Sequence, residues 1–345
     1  CSTAKVDREL MDKAYPKTPI IGLPRFEHAP REVRNFENLQ GYVYKNAVGL
    51  QSFDEPKAKD LEIFIDQRDR EDVKVHINVK RNETLVQERA KMDDTGILSK
   101  NVLVIMIDTV ARPRLYAKLK NTVAWLEKFY NGKSAEREAF QFFKFHSIAP
   151  FTIYNTYAAY FGQIPNTWKQ APANPPVTYA QQYKDKGYIL GRTQQYCDVS
   201  WNCPDKKPRK YTRDVPFDHE GSGIACDVHY GIDDDSMKIF KGGFSPNRRC
   251  LYGKDMFEYT FDYGNQFWRA YPNEKKLLWI DLLDGHEPTQ EVVKLIDDPL
   301  VAFLDGLDKD NLLQDTTILF WSDHGNHIPL PPCRNHPSHS NPDKG

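Results

Sequence analysis

The chain of 345 residues contains no run of about 18 apolar residues, so no segment reads as a helix that spans a bilayer. Its first residues lack the basic, apolar and small-residue succession of a secretory leader. Positive charge is not in excess: 47 Lys and Arg stand against 48 Asp and Glu, a formal net charge of -1. Binding through a basic face to phosphate backbones needs such an excess, so nucleic acid is excluded as the expected partner. Internal repeats are missing, and no low-complexity tract exceeds short charge clusters. What is present is 40% hydrophobic, 12% aromatic and 28% charged residues, the composition of a globular chain long enough to bury a large core. The length allows two domains or one large α/β enzyme fold.

Cysteine is sparse, with six residues at positions 1, 197, 203, 226, 250 and 333, four of them in one Pro/Gly/Asp-rich stretch. Cys197 and Cys203 lie too far apart for the usual zinc knuckle. Disulfides pinning an irregular insertion in an oxidising compartment are the expected use, with a structural metal or free thiols as alternatives. Asn82-Glu83-Thr84 is a glycosylation sequon and agrees with a secreted, lumenal or extracellular location. The chain starts at Cys1 without Met and stops at Gly345 soon after a motif argued below to be catalytic, so it is read as a fragment with a truncated C-terminus.

Residues 1–95 are polar, with prolines at 16, 19, 24, 30 and 56, and are expected to form a lead-in subdomain. The alternation from Val73 to Val79 predicts a half-buried strand. From residue 96 to 345 the pattern is that of a catalytic domain, with a Cys-containing insertion at about 195–250. Apolar strands are predicted at Val102–Ile107, Phe140–Phe145, Tyr188–Arg192, Lys276–Leu283 and Thr317–Trp321. Amphipathic helices are predicted at Arg114–Tyr130, Asp255–Tyr271 and Glu291–Leu307. This alternation predicts a three-layer α/β/α fold with a mostly parallel central sheet.

In such sheets ligands lie beyond the carboxyl ends of the strands. Asp108, with Thr109 and Arg112 after it, ends one apolar strand; Ser322-Asp323-His324-Gly325 ends another; Asp281, Asp284 and His286 follow a third. Each alone reads equally well as a cap or turn. Together they supply hard oxygen and imidazole ligands for Zn2+, Mn2+ or Mg2+, and a metal centre would gather carboxylates that otherwise repel. Thr152 is expected at the start of a helix after Pro150, where a hydroxyl faces the positive end of the dipole, although it is equally an N-cap residue type. His146, beside it, is read as a core histidine or a site residue, and Tyr196, Trp201, Tyr230 and Trp268 as packing or pocket aromatics.

These segments together resemble the alkaline phosphatase and sulfatase-like superfamily, and within it the eukaryotic sulfatase-like branch, over roughly Asn101 to Asn326. The resemblance rests on Ser322-Asp323-His324-Gly325, on Asp108-Thr109-x-x-Arg112 and on Thr152-x-x-Asn155. It implies that Asp108, Thr152, Asp323 and His324 hold one divalent metal, with Thr152 the nucleophile that forms a phosphothreonine. It further implies a second metal at Asp284 and His286, or a substrate contact by His286 with Glu287 to Thr289. The family's usual Asp-x-x-x-His is not met by Asp281, Asp284 and His286, and a further His is expected among His327, His336, His339 or residues beyond the chain. Asn155 and Arg112 are expected on the substrate side.

Sulfatases proper convert a Cys or Ser in a Cys/Ser-x-Pro-x-Arg context, and the nucleophile segment has none. The expected function is therefore a metal-dependent phosphoester hydrolase or phosphotransferase acting on a phosphorylated small molecule, glycan or lipid headgroup. The alternatives are a sulfatase-like hydrolase of sulfated glycans and an inactive binding protein on the same fold.

Overall fold

The computed structural model describes residues 42–44, 50–52, 62–66, 74–92, 95, 100–150, 152–164, 177–195, 217–221, 250–251, 254–287 and 289–326. In chain order these form β1 (Tyr42–Tyr44), β2 (Leu50–Ser52), β3 (Ile63–Asp66), β4 (Lys74–Ile77), α1 (Glu83–Arg89), β5 (Asn101–Ile107), α2 (Arg112–Lys118), α3 (Lys120–Glu127) and α4 (Thr152–Phe161). There follow α5 (Tyr179–Asp185), β6 (Ile189–Gln194), β7 (His219–Glu220), β8 (Cys250–Leu251), β9 (Lys254–Asp255) and α6 (Met256–Ala270). The last described elements are β10 (Lys276–Leu282), 3-10 turns at Asp284–His286 and Val292–Ile296, α7 (Asp297–Lys309) and β11 (Thr316–Trp321). No helix among the described residues is long and apolar enough to cross a membrane.

The central sheet has the order β11-β5-β10-β6-β7, and every neighbouring pair is parallel. Side chains of a strand alternate between faces, and β5 shows what that does here. Leu103, Ile105 and Ile107 join Leu278, Ile280 and Leu282 in one core with α6 and α7. Val102 and Val104 point the other way and join Leu277, Trp279 and Leu190 in a second core with Tyr160 and Phe161 of α4 and Ala180 of α5. The sheet is thus covered on both faces, the three-layer arrangement that the buried apolar strands require. Trp268, one of the aromatics weighed as a pocket residue, is fully buried, and its indole N–H donates to the Leu312 carbonyl at 2.9 Å.

The lead-in residues form an antiparallel sheet of order β2-β1-β3-β4. Its inner residues Ile63, Val75 and Ile77 pack on the same core as α6. Polar bonds fasten it as well: Glu62 meets His219 and accepts from Tyr263 at 2.7 Å, and His219 Nε2 lies 2.6 Å from the Tyr271 hydroxyl.

Three predicted elements differ. Phe140–Phe145 is not a strand but an exposed loop, and His146 beyond it is exposed as well, so it is neither a strand end nor a core histidine. Aromatic residues favour strands when a neighbouring strand pairs with them, and no described strand pairs with this segment, which meets β11 only where Phe145 touches the Trp321 ring. The helix predicted at Arg114–Tyr130 is two helices broken at Leu119 (φ -112°, ψ 59°). There the Asp297 carboxylate accepts the N–H groups of Asn121 and Thr122 at 2.9 and 2.8 Å, so α3 starts with its own capped amino end. The helix predicted at Glu291–Leu307 opens as a 3-10 turn and becomes α-helical only at Asp297. Apart from Cys250, whose backbone lies in β8, the cysteines lie outside the described residues, as does most of the 195–250 insertion.

Lys276 starts β10 fully buried, with its ammonium 3.0 Å from Asn101 Oδ1 and 4.9 Å from the Trp268 ring centre. Burial, with Lys100 nearby as a like charge, pushes its pKa down to about 8. The unfolded chain binds this proton more readily, so stability rises as pH climbs from about 8 towards the unfolded value. Between pH 7.5 and 9.5 the gain is about 2 kcal/mol. Urea midpoints should show that rise in the native chain and lose it in Lys276→Met; an equal slope in both would disprove the assignment.

Candidate active site

β5 lies between β11 and β10, so the residues that leave the three strands at their carboxyl ends emerge side by side. The register sets Trp321 and Asp281 beside Met106, and the Asp108 N–H donates to the Leu282 carbonyl at 2.9 Å. Asp108 and the adjacent pair Asp323-His324, over 200 residues further along the chain, thereby offer ligand atoms within 4.8 Å of one another, and all three residues are buried. Thr152 completes the group as the first residue of α4. Its Oγ1 lies 3.1 Å from His324 Nε2 and 3.5 Å from Asp108 Oδ1.

Backbone bonds hold the carboxylates. Asp323 Oδ1 accepts the N–H groups of Thr109 at 3.1 Å and His324 at 2.9 Å. Asp108 Oδ1 accepts the Thr109 hydroxyl at 2.6 Å. The other oxygen of each, Asp108 Oδ2 and Asp323 Oδ2, accepts no hydrogen bond although both are buried. His324 Nδ1 is 2.7 Å from the Gly325 carbonyl, which fixes the proton there and leaves Nε2 a lone pair. That lone pair lies 3.2 Å from Asp323 Oδ2. Acceptors facing acceptors at this distance call for a cation, and Asp, Asp, His and a hydroxyl are the donors that Zn2+ or Mn2+ takes. The residues therefore fit a divalent metal.

The electrostatics agree. Burial, and then the charge of Asp323, hold the Asp108 carboxyl well above its usual range. Thr109 contributes strain, since it sits at φ 66°, a conformation costly for a β-branched residue. It is kept there by the Asp323 bond and by Gln290, whose amide donates to the Thr109 carbonyl at 2.6 Å. The Ser322 hydroxyl accepts from the Val110 N–H at 2.9 Å and donates to the His324 carbonyl at 3.0 Å, tying the two strand ends together.

Asp284 and His286 lie in the 3-10 turn after β10 and do not join the cluster of ligand atoms. The turn nevertheless packs directly on the Asp108 backbone. A Cβ at position 285 would overlap the Asp108 carbonyl oxygen and the Val110 side chain, so only glycine allows this approach. Asp284 Oδ2 accepts from Gln195 Nε2 at 2.7 Å, and the side-chain oxygen Oε1 of Gln195 accepts the Leu283 N–H. Glu287 is spent on its own turn, accepting Thr289 N–H at 2.8 Å and Glu291 N–H at 3.1 Å. Asp281 points into the sheet, paired with Arg192 at 3.4 Å and bonded by the Trp279 indole.

Asn155 clamps the loop ahead of Thr152: its Oδ1 accepts Ile148 N–H at 2.7 Å and its Nδ2 donates to the Ala149 carbonyl at 2.7 Å. Arg112 opens α2 on the surface, where its guanidinium bonds Gln141 and covers the Phe143 ring. His327, His336 and His339 lie outside the described residues. Gln195 and Gln290 were not legible as site residues, because a Gln announces no partner, while Thr109 entered as part of the Asp108-Thr109-x-x-Arg112 motif with no role of its own.

Fold and site together define a parallel α/β protein with a buried carboxylate, imidazole and hydroxyl cluster at the carboxyl ends of its central strands. A family model described as "Protein of unknown function (DUF229)" matches residues 228–329, under a third of the chain, a stretch that includes Asp284, His286, Asp323 and His324. Among solved structures, a protein in the alkaline phosphatase superfamily from Vibrio parahaemolyticus is similar, with a TM-score of 0.43 and 14% identity over 71% of this chain and 63% of that one. The lipoteichoic acid synthase LtaP from Listeria monocytogenes is similar at the same TM-score and identity, over 70% of this chain and 62% of that one. This chain therefore spans less than two thirds of either. No curated protein matches.

Because folding brings a charged Asp108 beside Asp323, the metal-free chain loses stability as pH rises from the ordinary carboxylate range towards the raised value, and that loss persists at neutral pH. Metal-free Asp108→Asn should melt above the metal-free native chain, and Zn2+ or Mn2+ should raise the midpoint of the native chain only. Scanning calorimetry checks both; a variant that melts lower without metal and still responds to it would refute this account of the cluster.

Proposed function

We propose that this chain is the catalytic region of a metal-dependent phosphoester hydrolase or phosphotransferase in which Thr152 is the nucleophile. The observation that carries the reading is the gathering around His324 Nε2 of Thr152 Oγ1 at 3.1 Å, Asp323 Oδ2 at 3.2 Å and Asp108 Oδ1 at 3.9 Å, all on buried residues. Asp108, Thr152, Asp323 and His324 would hold the divalent cation, whose chemistry when bound is to lower the hydroxyl pKa and stabilise charge on phosphoryl oxygens. Asp284 and His286, on the turn against Asp108, are the residues proposed for a second cation or for the substrate.

Thr152 heads α4, so the positive end of the helix faces the same point and favours a phosphoryl group there. With the His324 Nε2 lone pair given to the cation, the Thr152 hydroxyl proton has Asp108 Oδ1 within reach. Thr152 Oγ1 forms the bond to phosphorus while the ester oxygen leaves, giving a phosphothreonine; water or an acceptor alcohol then displaces Thr152. Asn155 keeps the loop ahead of the helix in one shape, so Oγ1 is held in line rather than searching for its position. Arg112 remains the proposed surface contact for substrate. A phosphorylated small molecule, glycan or lipid headgroup is the proposed substrate class, and the secretory side of a membrane the proposed location. Thr152 carries a secondary hydroxyl and cannot form the aldehyde hydrate of sulfatases, which favours phosphorus over sulfur.

Plasma mass spectrometry on chelator-free protein should find one or two equivalents of metal, falling by at least one in Asp323→Ala. On a phosphoester panel Thr152→Ala should lose on the order of 10^3-fold or more in turnover, and intact-mass analysis should trap the phosphorylated chain only when Thr152 is present. Full turnover by Thr152→Ala on every active substrate would end the nucleophile assignment. Absence of metal after reconstitution with Zn2+ and Mn2+ would end the catalytic reading and favour a binding protein.

A further inference from the structure

The surface beside Thr152 has a feature that phosphoryl transfer does not use. Four phenylalanines occur in six residues, Phe140, Phe142, Phe143 and Phe145, and each is between 62% and 75% exposed. The Phe145 N–H donates to the Phe142 carbonyl at 3.2 Å, closing Phe142-Phe143-Lys144-Phe145 into a projecting turn. We propose that this turn is a docking tip that enters the interface of an anionic lipid membrane.

Shape, charge and support all bear on that choice of partner. Phe140 and Phe142 lead into the turn, Phe143 stands within it and Phe145 closes it, so exposed rings occur along its whole length. A fluid interface can surround such a tip, whereas one flat protein face covers only part of it. From Ala139 to Thr152 the chain has no Asp or Glu, while Lys144 sits in the turn itself. Arg112 lies with its guanidinium 4.0 Å from the Phe143 ring centre, bonded to the neutral amide of Gln141. Neither Lys144 nor Arg112 forms an ion pair among the described residues, so both charges are available to headgroups. Apolar rings at the tip with cations beside them is the pattern of interfacial binding to acidic lipid. Glu136 and Glu138 lie further back, at the foot of the loop.

The tip is also held firmly, which limits the ordering cost of insertion. One arm is fixed where the Ala139 N–H donates to the Phe129 carbonyl at 2.9 Å, the other where Asn155 binds Ile148 and Ala149. Phe145 rests edge-on to Trp321 at 6.3 Å. Because the second arm runs directly into α4, docking would bring the mouth of the Thr152 site towards the headgroup layer. The inference stands on exposure and charge, independently of the catalytic reading.

The test is co-sedimentation of the full chain with phosphatidylcholine vesicles, with and without phosphatidylserine. The native chain should bind the phosphatidylserine vesicles, less at high salt. Phe140→Ser/Phe142→Ser should weaken that binding about tenfold or more, and Lys144→Glu should weaken it too. Both variants replace exposed residues, so thermal midpoints and metal content should stay at native values, which separates lost docking from lost folding or a failed metal site. No binding of the native chain to phosphatidylserine vesicles would overturn the proposal, as would binding that the double variant leaves unchanged. A native chain that instead forms dimers abolished by the double variant would overturn it in favour of a second copy covering the rings.

Discussion

Two carboxylates, Asp108 and Asp323, are buried within ligand distance of each other with one oxygen apiece accepting no hydrogen bond. Placing like charges together away from water is among the costlier things a fold can do, and much of the surrounding structure answers to it. Thr109 is held in a left-handed conformation so that its N–H reaches Asp323 and its hydroxyl reaches Asp108. Ser322 staples the two strand ends, and Gln290 holds the Thr109 carbonyl from below. The protein supplies donors to one oxygen of each carboxylate and none to the other. That set of donors fits a divalent cation.

That organisation is affordable only on a rigid base. The parallel sheet supplies it, with its strands apolar on both faces and each face sealed by a different set of helices. On one side α6 and α7 pack a continuous aromatic and aliphatic stripe against β5 and β10. On the other the rings of Tyr160, Tyr179 and Trp279 stack within about 5.3 Å, placing α4 and with it Thr152. Within β10 the buried Asp281 pairs with Arg192 beside that stack and accepts from the Trp279 indole. The catalytic reading and the membrane-docking reading therefore share one lever, the stretch from Phe140 through Asn155, with apolar rings at one end and the nucleophile at the other.

The strands and their terminal Asp and His residues were readable because a parallel strand buried on both faces is written as an uninterrupted apolar run, and a polar residue at its end stands out. Asp108, Asp323 and His324 were found that way, and Thr152 through the proline that ends the preceding loop. The helix break at Leu119 was not readable, because it is made by Asp297, about 180 residues further along the chain. Phe140–Phe145 carried the composition of a strand and became a loop for want of a neighbour to pair with. Gln195 and Gln290 gave no signal, since an amide gains its role only from what folding sets across from it.

By itself, then, the sequence determined the layered α/β class, the order of the central elements and the four residue types at the centre, all of which depend on local periodicity and strand ends. Tertiary structure alone decided that β5 lies between β11 and β10, that Gly285 lets the Asp284–His286 turn rest on Asp108, and that four phenylalanines face outward. These depend on distances between segments far apart in the chain, which no local pattern encodes.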